Sequence, residues 1–587
     1  MNSFLLPPPA VLVTRILDSK NATQPLIQMT SFKPPYSFEK QGKKLERCTP
    51  EAEGIPSGLI EKFLNQLRAD DTLNMHDILI LRNGKILCEA GFGAQRTDVW
   101  KYTFSACKSV TSLAVGMLID DGILSLDEKI LDIFPKEPGP IARIKLKDLC
   151  VDDLLTMRAT ILFSEAESMT TTDWIKDYLN FATKGEIGKT FKYNSLNTYL
   201  LSAIVTKKTG LKLSEFLDKR LFKPLGIVNY YWEKSPQDID KGGWGLYILP
   251  EDFAKIGYMV MCDGVYEGQQ IVSREYIQMA TAKQVDVQEE SASFDYGYQI
   301  WVGKKTDTFL FNGMLGQNVI GFRRNGLVVV SNAGNGEFFQ QSNYFHYLLE
   351  AFDRDFEKEL PQDIKSNRKL KETVDALSLY TVHTPKSTFW SKLFNKPKKT
   401  PDLFDSVTGE YRYAGGDKNA VGVMPLILQA VQNEYTKGFD KMILQKKDGI
   451  PYLSYYENGT TYAFALGFDC PTIESCSFGK NNFLIACSAK FRHNEDDRLV
   501  LIVRLDFLET PCSRVLKIVF DGRGNAIIRH TEIPGEDFVA DATSDMLKQI
   551  SEIPLPFISG MIDRFGEDYT ELKLHKAFSP EIKVSKV

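Results

Sequence analysis

The sequence predicts an α+β protein in which an antiparallel sheet is flanked by helices and followed by a C-terminal β-rich domain, a barrel or sandwich. Three observations predict it. Short alternating strands with tight turns occur before residue 91 and again after residue 298, helical periodicity fills the stretch between them, and strand follows strand beyond about residue 403. At 587 residues, 43% hydrophobic and 25% charged, the chain has the length for two to four domains and an ordinary globular composition.

Residues 1–45 are Pro-rich and read as an irregular N-terminal extension. A helix follows Ser57-Gly58, with Leu59, Ile60, Phe63, Leu64 and Leu67 at helical spacing. Residues 76–91 read as two strands joined at Asn83-Gly84, a strong hairpin signal. From Ser105 an apolar helix places Val110, Leu113, Ala114, Met117 and Leu118 on one core face. Residues 148–222 are mainly helical, with Tyr199, Leu200, Ala203 and Ile204 in phase and Gly210 as a C-cap. Strands return at 298–302, 308–311, 318–322 and 327–331, turning at Gly313 and Asn325-Gly326.

This first domain is expected over 46–353. Residues 354–402 read as a charged linker with a short docked helix; the alternative is a membrane-touching patch in which Trp390 and Phe394 stand among lysines. The β-rich domain is expected over 403–587, with strands at 442–445, 461–466, 483–487 and 499–503 and turns at Asp448-Gly449, Asn458-Gly459 and Asp521-Gly522.

A formal charge of -5 gives no global attraction to nucleic acid or anionic membrane. Nine cysteines, an odd number without a C-x-x-C pair, read as free thiols of a reducing compartment. The N-terminus has no basic region ahead of an uninterrupted apolar stretch, and no apolar run reaches membrane-spanning length, so a cytoplasmic location is expected. Six scattered histidines offer no metal-ligand spacing, and no Walker or Rossmann glycine motif marks a nucleotide cofactor, so no metal and no cofactor are expected. No G-x-S-x-G occurs.

The chemistry is concentrated at Ser105-Ala-Cys-Lys108. Residues three apart on a helix are neighbours, so the Ser105 hydroxyl and the Lys108 amine meet at the first turn. A serine becomes nucleophilic when a base takes its proton, and a lysine is that base once burial or nearby positive charge lowers its pKa. Helix-start dipoles assist, and free N–H groups there can face an oxyanion. The same spacing at Ser37, Ser366 and Ser477 opens no long apolar helix. Tyr193, just ahead of a helix, is a candidate proton shuttle, kept partly ionised by the Lys108 cation, and Ser195 can hydrogen-bond Lys108. Asn312, Gly313 and Met314 end a strand where glycine lets backbone approach closely, so an N–H near Met314 can complete an oxyanion hole. Read singly, Tyr193 is a core tyrosine and the Gly313 turn a plain hairpin.

Taken in order, these pieces resemble the serine β-lactamase and penicillin-binding-protein-like hydrolases, in the branch holding class C β-lactamases, D-alanyl-D-alanine peptidases, esterases and 6-aminohexanoate-dimer hydrolases. The motifs are residues 51–60, Phe104 to Ser112, 127–135, 147–158, Tyr193-Asn-Ser195, 242–257 and Phe311-Asn-Gly313. The resemblance implies a β-lactamase/transpeptidase-like fold, acylation of Ser105, Lys108 as its base, Tyr193 as the acid/base partner, and Ser195 as the third position of the tyrosine motif. Relatives often carry Lys or His where this chain has Phe311, and Ser195 stands in place of Asn. Both departures point from β-lactams toward the esterase and amidase branches. The expected protein is a hydrolase of a small ester, amide or peptide, with no nucleic-acid partner; the alternative is a catalytically weak binding or sensing protein.

Overall fold

In the computed structural model the described residues are 27, 29–287, 293–380, 400–415, 419, 421–436, 438–535, 538 and 580–587. The sequence patch around Trp390 and Phe394 lies outside them. The chain divides into two compact units, one of residues 27–92 and 96–377, the other built mainly from residues 378–587 with 93–95.

The larger unit is organised by a sheet of β1 (Glu46–Arg47), β2 (Met75–Arg82), β3 (Lys85–Gly91), β4 (Phe294–Tyr296), β5 (Trp301–Gly303), β6 (Thr308–Gly313), β7 (Gln317–Phe322) and β8 (Leu327–Ala333). Their order is β1-β3-β2-β8-β7-β6-β5-β4. All pairs are antiparallel except β1 with β3. The first and last strands in sequence thus meet at the β2–β8 pair, and the helices are inserted between them. Asn83 and Gly84 both take positive φ, 50° and 83°, as the two-residue turn joining β2 to β3 requires.

Both faces of this sheet are covered, so strand parity sorts side chains into two cores. Leu79 and Leu81 pack with Val110, Met259, Phe309 and Val328, whereas Ile78 and Ile80 pack with Phe63, Leu310, Ile320 and Leu348. The first core is shared by α2 (Lys108–Asp120), α3 (Ser195–Thr209) and α4 (Pro250–Met261); the second by α1 (Ser57–Ala69), α5 (Asn343–Phe352) and α6 (Ile364–Leu377).

One element differs from the pattern reading. Helix α2 has every residue from Lys108 to Leu118 buried, not one face. Its polar residues are satisfied internally: Ser109 donates to the Gln299 carbonyl at 2.8 Å, Thr111 to the Gly242 carbonyl at 2.9 Å, and the Ser112 hydroxyl lies 2.9 Å from that of Tyr276. The stretch read as a charged linker with a short docked helix holds α6, which brings Leu370 and Leu377, seven residues apart on one side, into the second core.

The smaller unit is a ten-stranded antiparallel sheet: β9 (Gly409–Tyr413), β10 (Phe439–Lys447), β11 (Ile450–Glu457), β12 (Thr460–Ala465), β13 (Thr472–Phe478), β14 (Asn481–His493), β15 (Leu499–Phe507), β16 (Ser513–Phe520), β17 (Asn525–Ile533) and β18 (Glu581–Lys586). The order β12-β11-β10-β9-β18-β17-β16-β15-β14-β13 curls until its two ends meet. There Thr472 on β13 donates its hydroxyl to the Ala465 carbonyl on β12 at 2.5 Å, and the Ala465 N–H donates to Glu474 at 3.0 Å. The result is a near-barrel whose interior holds Leu444, Tyr455, Phe464, Ile485, Leu501, Val503, Ile518 and Ile528. Among the described residues no helix is long and apolar enough to cross a membrane. All nine cysteines are free.

Candidate active site

A single 3₁₀ turn, Phe104–Cys107, leads directly into α2. Phe104 is held at φ 45°, a strained backbone for a bulky residue, immediately before Ser105. A three-stranded sheet supports the turn: Lys101–Tyr102 pairs with Leu246–Ile248, and the Leu246 carbonyl accepts from both the N–H and the hydroxyl of Thr103, at 2.9 and 3.0 Å.

Lys108 sits one turn on, 1% exposed. Its Nζ lies 2.7 Å from Ser105 Oγ, 2.9 Å from Ser195 Oγ and 2.7 Å from the Gly243 carbonyl oxygen. Burial lowers its pKa from 10.5 to about 8, against smaller opposing effects of Glu165 and Cys107. At pH 8 about half of Lys108 is therefore a free amine, and at pH 7 about a tenth.

Tyr193 stands over this pair. Lys108 Nζ is 5.0 Å from the centre of its ring, and its hydroxyl shares a hydrogen bond with Ser105. The ring is walled by Trp301 at 6.0 Å, nearly parallel, and by Phe339 at 5.3 Å and Tyr296 at 6.3 Å, both edge-on. Burial raises the Tyr193 pKa well above the ordinary phenol value, and the hydrogen bond to Ser105 only partly offsets it. The partly ionised phenol expected from the sequence is not found, because loss of water around the ring outweighs the lysine opposite. Asn194 fixes the approach to α3. Its side-chain oxygen accepts from Leu196 N at 2.8 Å, and its amide donates to the carbonyls of Ile161 and Phe163 at 2.8 and 3.0 Å.

The third stretch contributes backbone. A β-carbon on Gly313 would lie 2.3 Å from the Thr103 carbonyl oxygen and 3.2 Å from Ala106 N, so only glycine lets the end of β6 close on the Ser105 turn. Met314 follows directly, before Leu315, whose N–H donates to the Glu337 carbonyl at 2.8 Å. On the opposite face of the strand from Gly313, Asn312 bonds to Asn318 at 2.7 Å and Gln340 at 3.1 Å. Phe311 is fully buried against Phe253 and Phe309, at 5.9 and 5.7 Å, and brings no charge.

Two contributors carried no assigned role in the sequence reading. Gly243 supplies a carbonyl to Lys108, and its own β-carbon would stand 2.5 Å from the Ser195 carbonyl oxygen. The signal was present as Gly242-Gly243 but nothing in it indicated which group the backbone approaches. Glu165 acts on both Lys108 and Tyr193 through its charge, from a short helix far away in sequence.

A buried lysine flanked by a half-buried serine and a half-buried tyrosine, at a helix start and against a glycine-ended strand, is an arrangement able to transfer an acyl group. Residues 66–350 match the sequence model of the family described as Beta-lactamase. A 6-aminohexanoate-dimer hydrolase of Paenarthrobacter ureafaciens is 27% identical over 237 residues, covering 35% of this chain and 56% of that protein. Penicillin-binding protein 4* of Bacillus subtilis (strain 168) is 23% identical over 215 residues, covering 32% of this chain and 47% of that protein. The chain thus spans about half the length of these curated relatives. Among solved structures, a family VIII carboxylesterase is 16% identical with a TM-score of 0.43, covering 53% of this chain and 99% of that one.

Proposed function

We propose that this protein is a serine hydrolase that cleaves an ester or amide through a covalent acyl-enzyme on Ser105. The observation that carries the reading is the 2.7 Å contact between Ser105 Oγ and the Nζ of a Lys108 whose pKa burial has brought to about 8. As Ser105 Oγ bonds to the substrate carbonyl carbon, its proton passes to the lone pair of Lys108. The oxyanion is received by backbone N–H groups at the Ser105 turn and at Met314. Tyr193, resting as a neutral phenol, gives its proton to the departing alcohol or amine and is reprotonated by the Lys108 ammonium, which returns to the free amine. Water then attacks the acyl carbon by the reverse relay, releasing the acid and restoring Ser105.

Incubation with a fluorophosphonate probe tests this reading, since phosphonylation of a serine displaces fluoride and leaves a countable adduct. Wild type is expected to take one label per chain at Ser105, Ser105→Ala none, and Lys108→Ala none. A wild type that stays unlabelled, with no turnover of short acyl esters, amides or D-amino-acid peptides, sinks the reading and leaves a binding or sensing role.

A further inference from the structure

We propose that the buried Lys241–Glu233 ion pair is a positioning device that aims the lone pair of Lys108 at Ser105 by fixing the Gly243 carbonyl. This rests on the acyl-enzyme reading and adds to it the group that orients the base. A neutral amine has two N–H donors and one lone pair. Three partners surround Lys108 Nζ, and the Gly243 carbonyl can only accept, so it takes one N–H. When the other N–H goes to Ser195 Oγ, the lone pair is left facing the Ser105 hydroxyl. The carbonyl thus orients this base as a third group orients the base of a catalytic triad.

That carbonyl belongs to the loop Lys241-Gly-Gly-Trp244, which is closed at its base. Lys241 Nζ lies 2.8 Å from Glu233, and the two side chains are 6% and 8% exposed. The backbone repeats the link: Lys241 N donates to the Glu233 carbonyl at 2.9 Å, and Glu233 N to the Gly245 carbonyl at 2.8 Å. Tyr102 and Tyr247 turn their hydroxyls to the same carboxylate at 3.3 and 3.4 Å. Between the clamped ends, the Gly242 carbonyl accepts from Thr111 and Cys107 of the Ser105 helix, and Gly243 reaches Lys108. Removing one member of a buried pair leaves an uncompensated charge and loosens what it held. Neither Glu233 nor Lys241 bonds to Ser105, Lys108 or Tyr193 in any contact given above, so both act through the loop.

The titratable groups facing Lys108 include Tyr193, Cys107 and Glu165; those around the pair include Tyr102, Tyr247, Tyr231 and the buried Lys33, whose Nζ lies 5.2 Å from the Tyr247 ring. All stay in place in the test. Rates of fluorophosphonate labelling at Ser105 are measured from pH 6 to 10 for wild type, Glu233→Gln, Lys241→Met and Lys241→Arg, each checked for folding by calorimetry. Both charge-removing variants are expected to lose about tenfold or more of the plateau rate, because the lone pair is no longer aimed. Their midpoints move in opposite directions by about half a pH unit: down in Glu233→Gln, which removes a negative charge, and up in Lys241→Met, which removes a positive one. Lys241→Arg keeps the wild-type midpoint. Lost rate with unmoved midpoints in both variants, or unchanged rates, overturns the inference while the acyl-enzyme reading stands. A wild type that takes no label overturns both. If one variant fails to fold, the other still reads the direction of its shift.

Discussion

Substituting Gly313 with alanine probes the closure of the site without touching any titratable group. The new methyl carbon would stand 2.3 Å from the Thr103 carbonyl oxygen. An unstrained carbon–oxygen contact is about 3.3 Å, so strand and turn must part by about 1 Å. Neither side yields freely. Gly313 is held in register with Gln317, and the Thr103 residue is tied by its N–H and its hydroxyl to Leu246. Overpacking of this kind costs about 1–3 kcal/mol of stability, which a unit of this size absorbs. Misplacing a reacting group by about 1 Å costs on the order of 100-fold in rate. The expected outcome for Gly313→Ala is a folded protein whose second-order rate of fluorophosphonate labelling, followed by mass spectrometry, drops about 100-fold. Labelling within about threefold of wild type would show that the end of β6 does not position the Ser105 turn and would refute the reasoning.

The remaining predictions concern pH and packing. Because Lys108 serves as a base only when neutral, labelling of wild type is expected to rise with pH around a midpoint near the value of about 8 that burial imposes; a midpoint above 10 contradicts this. Between that value and 10.5 the unfolded chain holds a proton that the native state has released, so this group makes stability rise with pH across the window. Urea unfolding should therefore find wild type gaining about 3 kcal/mol on Lys108→Met from pH 7.5 to 10.5, and a constant difference would be contrary evidence. Asn194→Ala removes a helix cap and leaves the carbonyls of Ile161 and Phe163 without their donor, for a loss of about 2 kcal/mol in denaturant unfolding. In the near-barrel, Arg514 and Glu532 form a buried pair at 3.0 Å; Glu532→Ala strands the guanidinium and should cost about 3–5 kcal/mol, read as faster hydrogen exchange in β16 and β17.

Legibility followed the range of the interaction. The β2–β3 hairpin and the strands of the near-barrel were visible because turn chemistry and alternation are local, and Asn83-Gly84 encodes its own positive φ. The Ser105–Lys108 pair was visible because helical spacing alone brings residues three apart together. What sequence could not supply came from contacts between distant segments. Full burial of α2 depends on Gln299, Gly242 and Tyr276 arriving to satisfy its hydroxyls. The inward turn of Gly313 and outward turn of Asn312 depend on where the Ser105 turn lies. The protonation of Tyr193 was misread for the same reason: a neighbouring lysine can be guessed from order along the chain, whereas the wall of Trp301, Phe339 and Tyr296 that removes water cannot.

Burial acts on the two proton-carrying groups in opposite senses of pKa but toward the same end, an uncharged site. It lowers the amine and raises the phenol, so above about pH 8 Lys108, Tyr193 and Ser105 all rest neutral. Charge then develops only during reaction, where preorganised donors act most strongly in a dry pocket. Above about pH 8 a substrate carboxylate entering this site meets a neutral Lys108, and the position where relatives often carry Lys or His is Phe311, buried among Phe253 and Phe309. The charge that acts on both Lys108 and Tyr193 is Glu165, of the same sign as such a ligand. We therefore infer that the acyl donor brings no carboxylate to Ser105, which sets a neutral ester or amide ahead of a β-lactam. Paired substrates that differ only by a carboxylate decide it: the neutral member should acylate Ser105 at least about tenfold faster, and preference for the anion would place a cation at the site that the buried Phe311 denies.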